Sequence, residues 1–118
     1  MVPRVGAPEL DRRRERAATN ENLFREVNER IEDLSAHASF TQFICECNDD
    51  TCDEHVSMTV EEYEHVRADG NQFLVLPGHH APDVDEIVEA TDRYLVIRKL
   101  GAGERVAEQL NPRRGAPG

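Results

Sequence analysis

Tryptophan is missing from this chain and aromatic side chains make up only 5% of it, so any core must be assembled from Val, Leu and Ile supplied by short segments. Long apolar runs are missing too. Nothing approaches the roughly 18 consecutive apolar residues of a membrane span, which argues against a membrane-embedded protein. The opening MVPRVGAPELDRRRER lacks the apolar stretch of a secretory leader, and the expected location is the cytoplasm. Cysteine is scarce: there are three, an odd number, and all fall between positions 45 and 52. That makes a poor disulfide framework, whereas a reducing compartment would keep the thiols free for a metal or for redox chemistry. Positive charge is short as well, with 14 Lys and Arg against 24 Asp and Glu.

The resulting net charge of −10 is unevenly spread, because residues 1–20 carry five Arg against three acids and the remainder is about −12. A field of that sign repels phosphate backbones, which argues against nucleic acid as a partner of the acidic body and favours a basic partner or plain solubility. Arg12, Arg13, Arg14 and Arg16 are the exception, read here as the solvated face of a helix or a tail. At 118 residues and 38% hydrophobic content the chain suits one small domain with a single core.

Leu23, Phe24, Val27, Ile31 and Leu34 recur at helical spacing with charges between them, which predicts an amphipathic helix whose apolar stripe packs on the domain's own sheet. Its start is open: Thr19 or Asn20 can cap it, or the helix can run back towards Pro8, making residues 1–19 either a basic tail or a helix extension. Phe40 to Ile44 has strand character and delivers Cys45. The turn formers at 48–50 and a short return strand at 55–58 complete a hairpin-like cysteine knuckle. Thr59 and Glu62 have capping-box spacing ahead of a short helix that carries Tyr63 and Val66 and stops near Gly70. A strand over 73–76 ends in a Pro-Gly turn that presents His79 and His80. VDEIVEA and RYLVIRK form an antiparallel hairpin around Thr91 and Asp92, and residues 101–118 trail off as a disordered tail. The expected fold is α+β, a single domain over 20–100: an N-terminal amphipathic helix, the knuckle, a short helix and a small, mostly antiparallel sheet.

Cys45, Cys47 and Cys52 give C-x-C-x4-C, close enough for three thiolates to converge on one ion if the loop curls round it. A closed zinc site needs a fourth ligand. His79 ranks first because a tight turn holds it, followed by His55 and then His80. Three thiolates and one imidazole around Zn²⁺ would staple the knuckle to the strand-turn and support a small core. The competing view of the cysteines as buried apolar residues sits badly with Glu46, Asn48, Asp49, Asp50, Asp53 and Glu54 around them. A thiol redox switch that releases metal on oxidation is the second reading, weakened because neighbouring carboxylates raise thiol pKa. A metal-dependent enzyme is third. H-E-x-x-H, G-x-S-x-G, the deaminase signature and a phosphate-binding glycine loop are all missing, and only His80 or Glu46 would be at hand for proton transfer.

From residue 20 to 99 the chain resembles a family of small, largely uncharacterised actinobacterial proteins. The likeness rests on NENLFREVNERI, FICECNDDTC, MTVEEYEHVRADGNQFLVLPGHH and RYLVIRKL. Its marks are the C-E-C plus C cluster, the E-Y-E-x-V-R helix and the P-G-H turn, which fall on Cys45, Cys47, Cys52, Tyr63, Arg67, Pro77, Gly78 and His79. The resemblance implies that His79 belongs to the site. His80 and His55 stand where the pattern differs, which makes both peripheral. The function expected from residues and resemblance together is a non-enzymatic, zinc-binding protein-interaction or regulatory module. Leu23, Phe24, Val27, Ile31, Tyr63 and Arg67 are its candidate partner contacts, with packing and an ion pair as the plainer role of the last two.

Overall fold

The computed structural model describes residues 7–35, 40–49 and 51–113. In chain order these form α1 (Ala7–Leu34), β1 (Thr41–Ile44), β2 (His55–Met58), α2 (Val60–Val66), β3 (Gln72–Val75), β4 (Asp85–Ala90), β5 (Leu95–Lys99) and α3 (Ala102–Leu110). The fold is α+β, with two small antiparallel sheets: a β1–β2 hairpin and a three-stranded sheet in the order β3-β5-β4.

Strand alternation explains why the three-stranded sheet is covered on both faces. Phe73, Val75, Leu95 and Ile97 point one way and pack with Ala18 of α1, Ala107 of α3, Cys45 and Cys47. Leu74, Tyr94 and Val96 point the other way, onto Phe43, Val56 and Met58 of the hairpin and Tyr63 and Val66 of α2. A backbone hydrogen bond from Glu46 N to Leu74 O, 2.7 Å, fastens the segment after β1 to β3. The short helix begins as its sequence predicts, with Thr59 Oγ1 accepting from Glu62 N at 3.0 Å and Glu62 Oε1 accepting from Thr59 N at 2.9 Å.

Two expectations fail, for related reasons. The apolar stripe of α1 does not face the sheet: Leu23 is 58% exposed, Val27 45% and Leu34 88%, and only Ile31 reaches the core. The buried face is instead Ala17, Ala18, Glu21, Asn22, Arg25 and Asn28. Those residues also recur at helical spacing, but they are small or polar, and each large one finds a buried partner. Arg25 shows how. Its guanidinium donates to Gly70 O at 2.7 Å and Ala107 O at 2.8 Å, takes Asn22 Oδ1, and lies 4.1 Å from the centre of the Phe73 ring.

The second failure is the expected tail over 101–118, where residues 102–110 form α3 and pack along α1. Gly101 starts α3 with φ +54°, a left-handed conformation that favours glycine, and Gly103 lies so close to α1 that a Cβ there would meet Arg14 O at 2.8 Å. Residues 114–118 lie outside the described residues. Residues 7–19 are the extension of α1 that the sequence allowed, with Arg13 paired to Asp83 at 2.7 Å and Arg14 Nε donating to Asp83 O at 3.0 Å, and residues 1–6 lie outside the described residues.

Candidate metal centre

Three pieces of backbone bring four donor atoms together. Cys45 and Cys47 leave the end of β1, with Cys45 N still bonded across the hairpin to Glu54 O at 3.0 Å. Cys52 sits on a turn closed by its own N–H to Asp49 O at 3.0 Å, and Asp49 is fixed there by Thr51, whose N and Oγ1 both donate to its Oδ1. Those two bonds hold the Asp49 carboxyl below its ordinary pKa. His79 arrives from the other side of the site, on a turn in which His79 N donates to Leu76 O at 3.0 Å and Gly78 takes φ +86°.

The three sulfurs and a ring nitrogen of His79 all lie within 4.8 Å of one another. His79 Nδ1 is 3.7 Å from Cys45 Sγ and 3.7 Å from Cys52 Sγ. A tetrahedral ion with sulfur at about 2.3 Å and nitrogen at about 2.0 Å sets sulfur–sulfur separations of about 3.8 Å and sulfur–nitrogen separations of about 3.5 Å. The cluster therefore fits a single ion. Leu76 N donates to Cys45 Sγ at 3.3 Å, a bond that favours the thiolate. The three cysteines form no disulfide. Interaction with Cys45 and with His79 draws the Cys47 thiol down to about 5, while Cys47 and burial push Cys45 up. Burial raises Cys52.

His55 and His80 are not in the cluster. His55 lies on β2 opposite Ile44 and is exposed, and the half-buried His80 follows the turn without contributing a donor. Glu46, the sequence candidate for proton transfer, turns away from the sulfurs. Alternation along Cys45, Glu46 and Cys47 sends its side chain into the opposite layer, fully buried. There Oε2 accepts from Asn28 Nδ2 at 2.7 Å and Tyr63 Oη at 2.9 Å, and Oε1 accepts from Leu74 N at 2.9 Å. Burial raises its pKa, against the lowering effect of those donors.

Asn28, which hydropathy reading passed over, holds the knuckle's root: it donates to Ile44 O and accepts from Ile44 N, both at 2.8 Å. The signal for it was a polar residue on the same helical face as Glu21 and Arg25. Of the expected partner contacts, Tyr63 and Arg67 are buried and engaged internally, Tyr63 with Glu46 and Arg67 Nε with Glu29 Oε1 at 2.6 Å. They take the plainer role of packing and ion pairing. Leu23 and Val27 face solvent, while Phe24 and Ile31 are half-buried. No helix among the described residues is long and apolar enough to cross a membrane.

Comparison with known protein families, curated proteins and solved structures finds no match to this chain.

Proposed function

We propose that this chain is a small zinc-binding module, non-enzymatic, in which Cys45, Cys47, Cys52 and His79 hold one Zn²⁺ and an outer surface contacts a protein partner. The observation that carries it is the convergence of three sulfurs and one imidazole nitrogen within 4.8 Å. Thiolate and imidazole donors at these separations suit zinc far better than magnesium or calcium, which take oxygen. Four protein ligands fill the coordination sphere of a structural site, leaving no position for substrate, and Glu46 faces the other layer. The ion would join β1, the knuckle and the turn after β3, segments distant in sequence. Solvent-facing Leu23 and Val27 on α1 are the surface for a partner, and the resemblance to small actinobacterial proteins in the C-E-C cluster and P-G-H turn supports the choice of His79. Regulation by a protein contact in the cytoplasm is the role this fits.

Elemental analysis of protein purified without added metal tests the reading. One zinc per chain, lost or weakened in Cys52→Ser and His79→Ala, is expected. Metal-free protein with three titratable thiols under reducing conditions would overturn it. The proximity of the three thiols favours one second reading, a redox switch, in which oxidation joins two of them and ejects the ion. Zinc release that tracks disulfide formation and reverses with reductant would select it.

A further inference from the structure

On the same face of the three-stranded sheet as Cys45 and Cys47, under α1, lies a second cluster of chemically capable groups. Lys99 of β5 and Asp85 of β4 are directly opposed in the antiparallel register, and both point inwards. Glu21 of α1 closes over them. The Lys99 Nζ contacts both Glu21 Oε2 and Asp85 Oδ1, and the three side chains are 0%, 0% and 1% exposed for Lys99, Glu21 and Asp85. Phe73 lines the site, its ring centre 5.6 Å from Nζ. Apart from these ion contacts, neither oxygen of Glu21, nor Asp85 Oδ1, nor Lys99 Nζ has a hydrogen-bond partner among the described residues. Asp85 Oδ2, in contrast, accepts from Ala81 N at 3.0 Å.

We propose that Lys99 and Asp85 become joined by a side-chain amide, formed by the folded chain itself with Glu21 as the proton carrier. The Nζ lone pair attacks Asp85 Cγ. The electrons of the C=O bond move onto Oδ2, where the Ala81 N–H stabilises the negative charge as an oxyanion hole does. Glu21 takes a proton from the nitrogen and delivers it to the Oδ1 hydroxyl. The C–Oδ1 bond then breaks, water leaves, and Glu21 is a carboxylate again. One amine and one carboxylic acid become one amide and one water, with no oxidant, reductant or activating group required.

Several features favour condensation over a permanent ion triad. A buried ammonium between two carboxylates keeps a local excess of negative charge in an apolar layer and leaves lone pairs and protons unmatched, which is costly. Burial lowers the Lys99 amine to about 7 and raises the Asp85 carboxyl to about 6. With the two values this close, the uncharged amine beside the uncharged acid is a minor but populated form, and it is the one that condenses. Reactants fixed in contact react at effective concentrations on the order of 10⁵ M or more. The amide product removes two buried charges and keeps the Ala81 N–H bond to its carbonyl oxygen.

Intact mass measurement of the full chain under denaturing, reducing and metal-chelating conditions tests this. Wild type is expected to weigh less than its sequence by one water. Trypsin is expected to give a branched peptide joining residues 68–93 to residues 99–105, uncut after Lys99. Lys99→Arg should show the full sequence mass, as should Glu21→Gln, whose folding circular dichroism checks independently. Full mass in folded wild type, with trypsin cutting after Lys99, overturns the proposal. So does a water loss that maps to a succinimide at Asp69-Gly70.

Discussion

Replacing Glu46 probes how the fold supports the candidate metal centre without touching a ligand. Its carboxylate accepts three hydrogen bonds from donors fixed by other elements: Asn28 of α1, Tyr63 of α2 and Leu74 of β3. In Glu46→Ala these donors lose their acceptor. Each orphaned buried group costs about 1–3 kcal/mol. Relief from burying a carboxylate offsets part of that sum, and the net expected loss is about 3–5 kcal/mol. A chain of this length has roughly 6–18 kcal/mol in total at about 0.05–0.15 kcal/mol per residue, so the loss is a large fraction of it. Glu46→Gln separates acceptor geometry from size. One of its two ends must present an NH₂ either to Leu74 N–H or to Asn28 Nδ2, and Asn28 cannot turn over without losing both bonds to Ile44. The expected cost is one mismatched donor pair, about 1–3 kcal/mol. At a urea slope of about 1–3 kcal/mol per M, this lowers the unfolding midpoint by about 1 M. The reasoning is refuted if both variants unfold at the wild-type midpoint. Equal losses for Gln and Ala would refute the geometric part, since charge alone would then account for the effect.

Arg25→Met should lower stability by about 3–5 kcal/mol in thermal unfolding, because the carbonyls of Gly70 and Ala107 lose a buried charged donor and Phe73 loses its cation. Leu23→Lys and Leu34→Lys should each shift stability by no more than about 0.5 kcal/mol, since both side chains face solvent; a loss of 2 kcal/mol or more would restore the apolar stripe as the packed face. Burial beside Glu64 raises the Glu32 carboxyl to about 7. Its folded pKa exceeds its unfolded one, so its contribution is fully present below about 4.5 and is lost as pH rises to about 7; in Glu32→Gln, urea midpoints measured across that window should fall less with rising pH than in wild type.

Local chemistry made much of this molecule legible in the sequence. Thr59 and Glu62 announced α2 because a capping box is satisfied within four residues. The knuckle and the β4–β5 hairpin were visible because turn formers separate β-rich runs, and the Pro-Gly turn pointed to His79. The packed face of α1 was misread because hydropathy ranks Leu23 and Val27 above Arg25 and Asn28. Arg25 and Asn28 are buried only because Gly70, Ala107 and Ile44, remote in sequence, supply acceptors and donors at the right places. The same blind spot hid α3. Val106, Ala107 and Leu110 repeat over a single helical turn, and Gly101 and Gly103 read as loop residues until α1 is present to require their missing side chains. The turned-away Glu46 was legible in principle, since a C-x-C segment in extended backbone must point its middle residue opposite its cysteines.

The polar make-up of the buried side of α1 bears on how the chain survives its own synthesis. This helix is made long before residues 102–110, yet Arg25 and Gly103 show that it is completed only when α3 lies against it. An apolar face waiting that long would be open to capture by other nascent or unfolded chains. Glu21, Asn22, Arg25 and Asn28 instead keep the waiting face hydrated, and their bonds to Lys99, Gly70, Ala107 and Ile44 form only as those distant segments arrive. Solubility before closure and specificity after it come from the same four side chains.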